Sequence, residues 1–223
     1  MLAMDMDFAR ARRFMRDGQL TPNGVTDPLL LGAMDTLARE LFLPPEMRHR
    51  SYADEGVPLG EGRVMLAPMV LARLLQMALP QPGERALVLA SGTGYGAAVL
   101  ARMGLKVLGI EAEPGLVAAA QHAVDFALDA NRPVIEQGDP AMGAPAGAPF
   151  QLILIEGAVE HVSPALFAQL AEGGRLVTIR REAGRMGRGV LYRRAGGAVS
   201  AIEGLDAAGP VLAAFALSPG FVL

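Results

Sequence analysis

Cysteine and tryptophan are absent from this chain of 223 residues, and histidine occurs only three times. The absence of cysteine excludes disulfide bonds and thiolate chemistry, and it is compatible with a reducing compartment. Because the three histidines lie far apart in the sequence, they do not form the spacing of a structural zinc site, and we predict no metal. The net charge of −3 gives no general attraction to nucleic acid or to anionic membranes.

Long apolar runs are absent as well. The most apolar stretch, Val64–Leu79, is interrupted by Pro68 and Arg73 and is too short to span a bilayer. The N-terminus carries Asp5 and Asp7 and lacks the basic start and apolar run of a signal peptide. The composition is 52% hydrophobic and 19% charged, which is sufficient for a folded core. We therefore expect a folded cytoplasmic protein.

The most informative stretch of the chain covers residues 86–111. An apolar run at Ala86–Leu89 leads into a Gly-rich loop at Ala90–Gly96, an Ala-rich helical segment follows, and a second apolar run ends in Glu111. The glycines permit a tight turn and let a ligand approach the backbone. An acidic residue about 20 positions after such a loop is placed to accept hydrogen bonds from ribose hydroxyls. The unit therefore predicts a nucleoside-type ligand.

Strands and helices alternate after residue 82. The predicted strands are residues 86–89, 106–111, 133–137, 151–155, 175–179, 189–194 and 198–203, with a final strand expected at Val211–Leu217. Helices are predicted at Asp7–Arg16, Asp27–Glu40, Pro68–Leu79, Tyr95–Met103, Pro114–Leu128 and Ser163–Leu170. This alternation predicts an α/β fold, a Rossmann-like, mostly parallel seven-stranded sheet with helices on both faces and an N-terminal helical extension.

Several short motifs follow one another in a characteristic order. They are Tyr52-x-Asp54, Pro58-Leu59-Gly60-x-Gly62, Pro68, Ser91-Gly92-Thr93-Gly94-Tyr95, Glu111, Gly138-Asp139 and Gly173-Gly174-Arg175-Leu176-Val177. In this order the chain resembles the protein-L-isoaspartate O-methyltransferase family, which has the class I fold of S-adenosylmethionine (SAM) methyltransferases. The resemblance covers roughly residues 7–180.

The resemblance implies a cofactor site and a reaction. It assigns SAM binding to Ala90, Ser91, Gly92, Thr93, Gly94, Glu111, Gly138 and Asp139, with Glu111 at the ribose and Asp139 at the adenine. It implies methyl transfer to a protein or peptide carboxylate, with isoaspartyl proteins as partners. No catalytic residue is identifiable, and a carboxylate acceptor needs no general base because it is already ionised at neutral pH.

The resemblance also divides the chain into two parts that form one compact unit. Residues 1–82 correspond to the helical extension and the substrate-side segment, in which Arg63, Leu66, Ala67 and Pro68 lie at the substrate site. Residues 83–223 correspond to the SAM-binding core with a C-terminal hairpin.

Six positions depart from the family pattern. Val88 replaces an acidic residue, Ala90 replaces the first loop glycine, and Arg63, Val64 and Leu66 replace Gln, Thr and Ser. Gln151 replaces the Asp that usually follows the aromatic residue before the fourth strand. Loss of one charge-assisted hydrogen bond costs roughly 1.5–3 kcal/mol, so we expect weakened SAM binding rather than none. The departures leave a second hypothesis open, an inactive or repurposed relative that acts as a binding or interaction module. A nicotinamide-dependent oxidoreductase fits the loop but not the surrounding motifs.

Two further sets of charged residues have simple interpretations. Glu156 and His161 follow the fourth predicted strand of the core, where an acid–base pair could act, but we favour solvated loop residues. A cluster of arginines surrounds the predicted hairpin at 189–203, and only Tyr192 lies nearby for stacking on a base. We therefore expect a solvated hairpin and no nucleic-acid partner.

Overall fold

The computed structural model describes residues 7–182 and 184–217. In this part of the chain the α-helices are α1 (Phe8–Met15), α2 (Pro28–Thr36), α3 (Pro68–Ala78), α4 (Tyr95–Arg102), α5 (Pro114–Ala127) and α6 (Pro164–Ala168). The strands are β1 (Val57–Gly60), β2 (Arg63–Met65), β3 (Arg85–Leu89), β4 (Lys106–Glu111), β5 (Val134–Gln137), β6 (Phe150–Val159), β7 (Leu170–Arg180), β8 (Arg188–Ala195) and β9 (Ala198–Asp206).

Seven strands form one sheet in the order β5-β4-β3-β6-β7-β8-β9. Strands β3 to β7 pair in parallel, and β8 and β9 form an antiparallel hairpin at one edge. Strand β3 has β4 on one side and β6 on the other, so the strand order reverses there, and ligands of such sheets bind at this point. The predicted α/β fold with a mostly parallel seven-stranded sheet is confirmed.

The core lies on both faces of the central strands. Strand β3 is buried from Ala86 to Leu89, and β6 is buried along nearly its whole length. Alternate side chains of β3 enter different apolar clusters, with Val88 on one face and Leu87 and Leu89 on the other. Burial on both faces explains the continuous apolar runs in the sequence.

Buried polar contacts join the N-terminal extension to the core. The guanidinium of Arg39 is fully buried, donates to the carbonyls of Ser51 (2.7 Å) and Leu66 (2.6 Å), and lies 4.6 Å from the ring centroid of Tyr95. The Oγ1 of Thr93 donates to the carbonyl of Phe42 at 2.6 Å. The extension therefore packs directly on the Gly-rich loop and α4. The division of the chain at residue 82 stays a prediction.

Several predicted elements have other bounds in the structure. The strands predicted at residues 151–155 and 175–179 extend over Phe150–Val159 and Leu170–Arg180. The helix predicted at Asp27–Glu40 ends at Thr36, because the chain becomes extended at Leu37 and forms a 3₁₀ turn at Arg39–Phe42. The helix predicted at Ser163–Leu170 ends at Ala168, because Leu170 already pairs with Phe150 in the sheet.

The prediction of a final strand at Val211–Leu217 is also wrong. Only an isolated bridge joins Val211 to Ala158, and a 3₁₀ turn follows at Ala213–Phe215. The amide of Leu212 donates to the carbonyl of Ala158 at 2.9 Å, which fixes this segment beside the end of β6 without forming a strand.

Two arginines, one on β7 and one on β8, pair with carboxylates of β9. Arg188 donates to Asp206 at 2.8 Å and Arg180 to Glu203 at 2.5 Å. These exposed pairs agree with the interpretation of a solvated hairpin. No helix within residues 7–182 and 184–217 combines the length and apolarity needed to cross a bilayer.

Candidate functional site

The Gly-rich loop after β3 turns sharply with a left-handed backbone. Gly92 and Gly94 have φ values of +55° and +87°, and Gly94 is the N-cap of α4. A Cβ atom at Gly94 would lie 3.2 Å from the Cβ of Ala120, so α5 requires glycine there. Ala90 also has a positive φ, +53°, which costs a residue with a Cβ about 1–2 kcal/mol. The turn of the loop is therefore retained despite the missing glycine.

Glu111 ends β4 directly beside this loop and is fully buried. Its Oε2 accepts a hydrogen bond from the amide of Gly92 at 2.7 Å, and its Oε1 accepts one from the amide of Ala112 at 2.9 Å. The amide of Ser91 donates to the carbonyl of Ile110 at 3.1 Å. The structure thus brings the predicted loop residues and the predicted acid together at the carboxyl edge of the sheet.

Arg63 of β2 reaches across the crevice to the same carboxylate. Its Nη1 lies 3.0 Å from both carboxylate oxygens of Glu111, and its Nη2 donates to the carbonyl of Ala90. The Arg63 side chain is 12% exposed and that of Glu111 is 0% exposed. Both carboxylate oxygens of Glu111 therefore already accept hydrogen bonds from the protein itself.

The predicted adenine residues lie at the end of β5. The amide of Gly138 donates to the carbonyl of Glu111 at 3.0 Å, which holds the turn against β4. The side chain of Asp139 is exposed, and its Oδ1 accepts from the amide of Ala141 at 2.8 Å, so it caps the following turn. Pro140 lines the adjacent cavity. A contact from Asp139 to a ligand stays a prediction.

A cavity of about 210 Å³ opens over Glu111. It is bounded by residues 111–113, Pro140, the β1–β2 turn and residues 211–214 of the C-terminal segment, and Arg63 and Ala90 form its inner wall. Typical ligand sites measure roughly 300–1,000 Å³, so this compartment is smaller than most.

A second, much smaller compartment also has Arg63 in its wall. Its volume is about 10 Å³, and its walls include Arg63, Ala90, Gly92, Tyr95 and Glu156. This volume is about that needed by one water molecule. Arg63 and Ala90 line both compartments, so the two spaces adjoin at these residues.

A larger cavity lies between residues 41–48 and α5. It measures about 640 Å³ and is lined mainly by apolar residues, and it borders the loop at Thr93 and the crevice at Glu61 and Glu113. Leu59 of β1 lines both this cavity and the small compartment, and a Cβ at Gly92 would lie 3.0 Å from the Cδ1 of Leu59. The β1–β2 hairpin therefore lies directly on the Gly-rich loop.

The residues predicted on the substrate side do not all lie in the same part of the structure. Arg63 points to Glu111, whereas Leu66 is 2% exposed and lies within the apolar core. Pro68 is buried at the start of α3, and Ala67 before it is half-buried. Their assignment to an acceptor site stays a prediction, and Leu66 brings no hydrogen-bond donor there.

Glu156 departs from the expectation of a solvated loop residue. It is 7% exposed, and its burial raises the pKa of its carboxyl to about 8, although Arg63 and Arg39 act in the opposite direction. A Cβ at Gly96 would lie 2.2 Å from its Oε1. The expectation was wrong because β6 continues to Val159 and keeps Glu156 inside the fold. His161 is exposed, as expected.

Sequence reasoning missed the part that the C-terminal segment plays in this crevice. Residues 211–214 form one wall of the larger compartment. A Cβ at Gly157 would lie 2.6 Å from the Cγ of Leu212, so the segment packs tightly on β6. The apolar residues of this segment were the only available signal, and they indicated a strand.

Comparison with known proteins gives concordant results. The family model described as "Protein-L-isoaspartate(D-aspartate) O-methyltransferase (PCMT)" matches residues 16–196. A protein-L-isoaspartate O-methyltransferase of Methylorubrum populi is 42% identical over 171 residues, which are 77% of this chain and 79% of the relative. A protein-L-isoaspartate O-methyltransferase 1 of Anaeromyxobacter is 40% identical over 154 residues, which cover 69% of this chain and 73% of the relative.

Solved structures show the same fold. A protein-L-isoaspartate O-methyltransferase superposes with a TM-score of 0.78 at 24% identity, covering 90% of this chain and 65% of that one, so the chain spans slightly less than two thirds of it. A structure from Plasmodium falciparum, described as a putative enzyme of this kind in complex with S-adenosyl-L-homocysteine, has a TM-score of 0.78 at 19% identity. The superposition covers 90% of this chain and 97% of that one.

Proposed function

The chain belongs to the protein-L-isoaspartate O-methyltransferase family, and we propose that it transfers a methyl group from SAM to the carboxylate of an isoaspartyl residue in a protein or peptide. The relatives carry this name at 42% and 40% identity over most of this chain. The family relationship does not favour the alternative of an inactive binding module.

One observation carries the proposal for the cofactor. The buried carboxylate of Glu111 accepts a hydrogen bond from the amide of Gly92 at 2.7 Å, and Glu111 lines the cavity of about 210 Å³. A buried acid at the end of the second core strand, beside a Gly-rich turn, suits hydrogen bonds from ribose hydroxyls. We assign the adenosyl group to this cavity, with Glu111 at the ribose.

The residues fit this group with one adjustment. The loop at residues 90–94, Glu111 and the turn at Gly138 and Asp139 occur in the order that the site needs. The carboxylate of Glu111 is held by Arg63, however, and the compartment is smaller than a typical ligand site. The proposal therefore requires that the Arg63 side chain leave the carboxylate when the ligand binds.

The cofactor supplies an electrophilic methyl group on a sulfonium centre. The protein aligns the acceptor and excludes water, and no residue has to act as a base because the acceptor carboxylate is ionised at neutral pH. Glu156 borders the small compartment, and with a pKa of about 8 its carboxyl is mainly protonated at pH 7.

The large cavity between residues 41–48 and α5 gives an acceptor peptide room beside the loop. Its volume of about 640 Å³ and its apolar lining suit a short peptide segment. Arg48 and His122 in its wall supply basic or polar contacts next to an anionic residue. The absence of a nucleic-acid partner and the cytoplasmic location stay predictions of the composition.

A methylation assay with two matched peptides tests the proposal. The peptides have the same sequence, and one carries isoaspartate where the other carries aspartate. We expect a methyl ester on the isoaspartyl peptide only, with formation of S-adenosylhomocysteine detected by mass spectrometry. Equal methylation of both peptides would point to a different acceptor. Absence of S-adenosylhomocysteine binding by calorimetry, both in the wild type and after substitution of Arg63, would refute the cofactor assignment.

A further inference from the structure

Arg63 occupies the position on Glu111 that the proposed function gives to the cofactor ribose. Its Nη1 lies 3.0 Å from both carboxylate oxygens, and its Nη2 donates to the carbonyl of Ala90. The amides of Gly92 and Ala112 take further acceptor positions on the same carboxylate. A carboxylate offers about four acceptor sites, so little capacity is left for ribose hydroxyls while Arg63 stays in place.

Arg63 also lies in the wall of two adjoining compartments. Arg63 and Ala90 bound both the compartment of about 210 Å³ and the compartment of about 10 Å³, which contains the inner face of the loop. Movement of the guanidinium would therefore free Glu111 and enlarge the space beside it. Both changes act in the same direction, toward room for a ligand that extends from Glu111 along the loop.

Not every nitrogen of the Arg63 guanidinium is hydrogen-bonded, and the side chain can move toward solvent. The Nε of Arg63 is buried and has no hydrogen-bond partner among the described residues. The side chain remains 12% exposed, and it follows the turn Gly60-Glu61-Gly62, whose three residues all have positive φ. A long arginine side chain at the edge of a short hairpin can reach water by changing its rotamers.

We propose that Arg63 is an internal competitor of the cofactor, and that an adenosyl ligand binds Glu111 only by displacing the Arg63 guanidinium. This inference rests on the proposed function. It adds that position 63 sets the affinity for the cofactor, and that the wild-type affinity is lowered because each binding event breaks the ion pair with Glu111.

Calorimetry with S-adenosylhomocysteine on the full chain tests this inference. The variants are Arg63→Met, which keeps the apolar stem without the charge, and Arg102→Met as the matched control. Arg102 is an exposed arginine at the end of α4 that donates to the carbonyl of Ala127. We expect R63M to bind at least tenfold more tightly than the wild type, and R102M to bind like the wild type.

Whether the affinity for S-adenosylhomocysteine rises or falls in R63M distinguishes competition from a structural role of Arg63. Removal of Arg63 leaves the buried Glu111 without its cation, so R63M is expected to unfold at a lower urea concentration while it binds the ligand more tightly. A residue that only supports the site would lower stability and affinity together. If R63M does not fold, Arg63→Lys is the second variant, and we expect its affinity to exceed that of the wild type because the shorter head cannot also reach Ala90.

Each outcome has a distinct meaning. Unchanged or weaker binding by a folded R63M or R63K, with clear binding by the wild type, overturns the competition and leaves the proposed function standing. Absence of binding by the wild type together with tight binding by R63M supports the competition in its strongest form. Absence of binding by both proteins overturns the proposed function and this inference with it.

Discussion

Arg63 and Glu111 form a buried ion pair across the carboxyl edge of the sheet, with the Arg63 Nη1 at 3.0 Å from each Glu111 carboxylate oxygen. The pair joins a short hairpin of the N-terminal part to the end of a central strand. Because one partner is fully buried, removal of either charge leaves the other without compensation. The pair therefore affects stability as well as ligand binding, and the two effects can be measured separately.

Glu111→Gln is expected to lower the free energy of unfolding by about 3–5 kcal/mol, because Arg63 keeps a charge that has lost its partner in a largely buried site. Urea denaturation at neutral pH measures the change. Glu136→Gln is the matched control, since Glu136 is exposed on β5, and we expect a change within about 0.5 kcal/mol. Equal effects of the two substitutions would show that the ion pair does not contribute to folding.

The double variant Glu111→Gln/Arg63→Met is expected to lose less free energy of unfolding than the two single variants lose together. Removal of both charges leaves neither of them buried alone, so the interaction energy of the pair should exceed about 1 kcal/mol. A double-mutant cycle by urea denaturation checks this, and additive effects would contradict it.

Glu156 is expected to make stability depend on pH. Its pKa in the folded protein is about 8, above the value of about 4.5 for an unperturbed glutamate, so the folded state binds more protons between these values. Its stabilising contribution is fully present below pH 4.5 and is lost as the pH rises through 8, with a slope of up to about 1.4 kcal/mol per pH unit.

Glu156→Gln removes the titrating carboxyl and is therefore expected to flatten this slope. The free energy of unfolding is measured for both proteins from pH 5 to pH 9. Parallel curves for the wild type and the variant would show that Glu156 does not titrate in this range.

Gly157→Ala is expected to destabilise the protein by about 1–3 kcal/mol. The new Cβ would lie 2.6 Å from the Cγ of Leu212, so the C-terminal segment has to move away from β6. Gly115→Ala is the matched control, because no atom lies within 4 Å of its Cβ position in α5. There we expect no loss, or a gain of about 0.5–1 kcal/mol from helix propensity. Thermal denaturation of both variants tests the difference.

Thr93→Val removes the hydrogen bond from the Thr93 Oγ1 to the buried carbonyl of Phe42 with almost no change of shape. We expect a loss of about 1–3 kcal/mol, because the carbonyl becomes unsatisfied between the extension and the loop. Thr36→Val is the control, since Thr36 is exposed and its hydroxyl donates only to carbonyls of its own helix. An equal, small effect at both positions would mean that water replaces the Thr93 hydroxyl.

The sequence predicted the elements whose signals are local. Apolar runs gave strands β3 to β7, and the spacing from the Gly-rich loop to Glu111 predicted that these residues meet at one edge of the sheet. Parallel strands separated by helices leave few alternatives for their arrangement, so this inference needed no knowledge of distant contacts.

Elements controlled by distant contacts were not predicted. The helix expected at Asp27–Glu40 ends early because Arg39 is drawn into the core by the carbonyls of Ser51 and Leu66. The strand expected at Val211–Leu217 is only a single bridge, since its apolar residues pack on Gly157 instead of pairing along a strand. Helix and strand propensities cannot represent either contact.

The sequence by itself determined the fold class, the family and the acid at the end of β4, because each depends on residue types at short, fixed spacings. Only the tertiary structure decided that the arginine at position 63 lies on that acid and that Glu156 is buried with a raised pKa. Both facts depend on contacts between residues that are far apart in the sequence. Arg63 is 48 residues from Glu111. Glu156 is 60 residues from Gly96 and still farther from Arg63. Electrostatic energy depends on distance and burial in space, which the order of residues does not record.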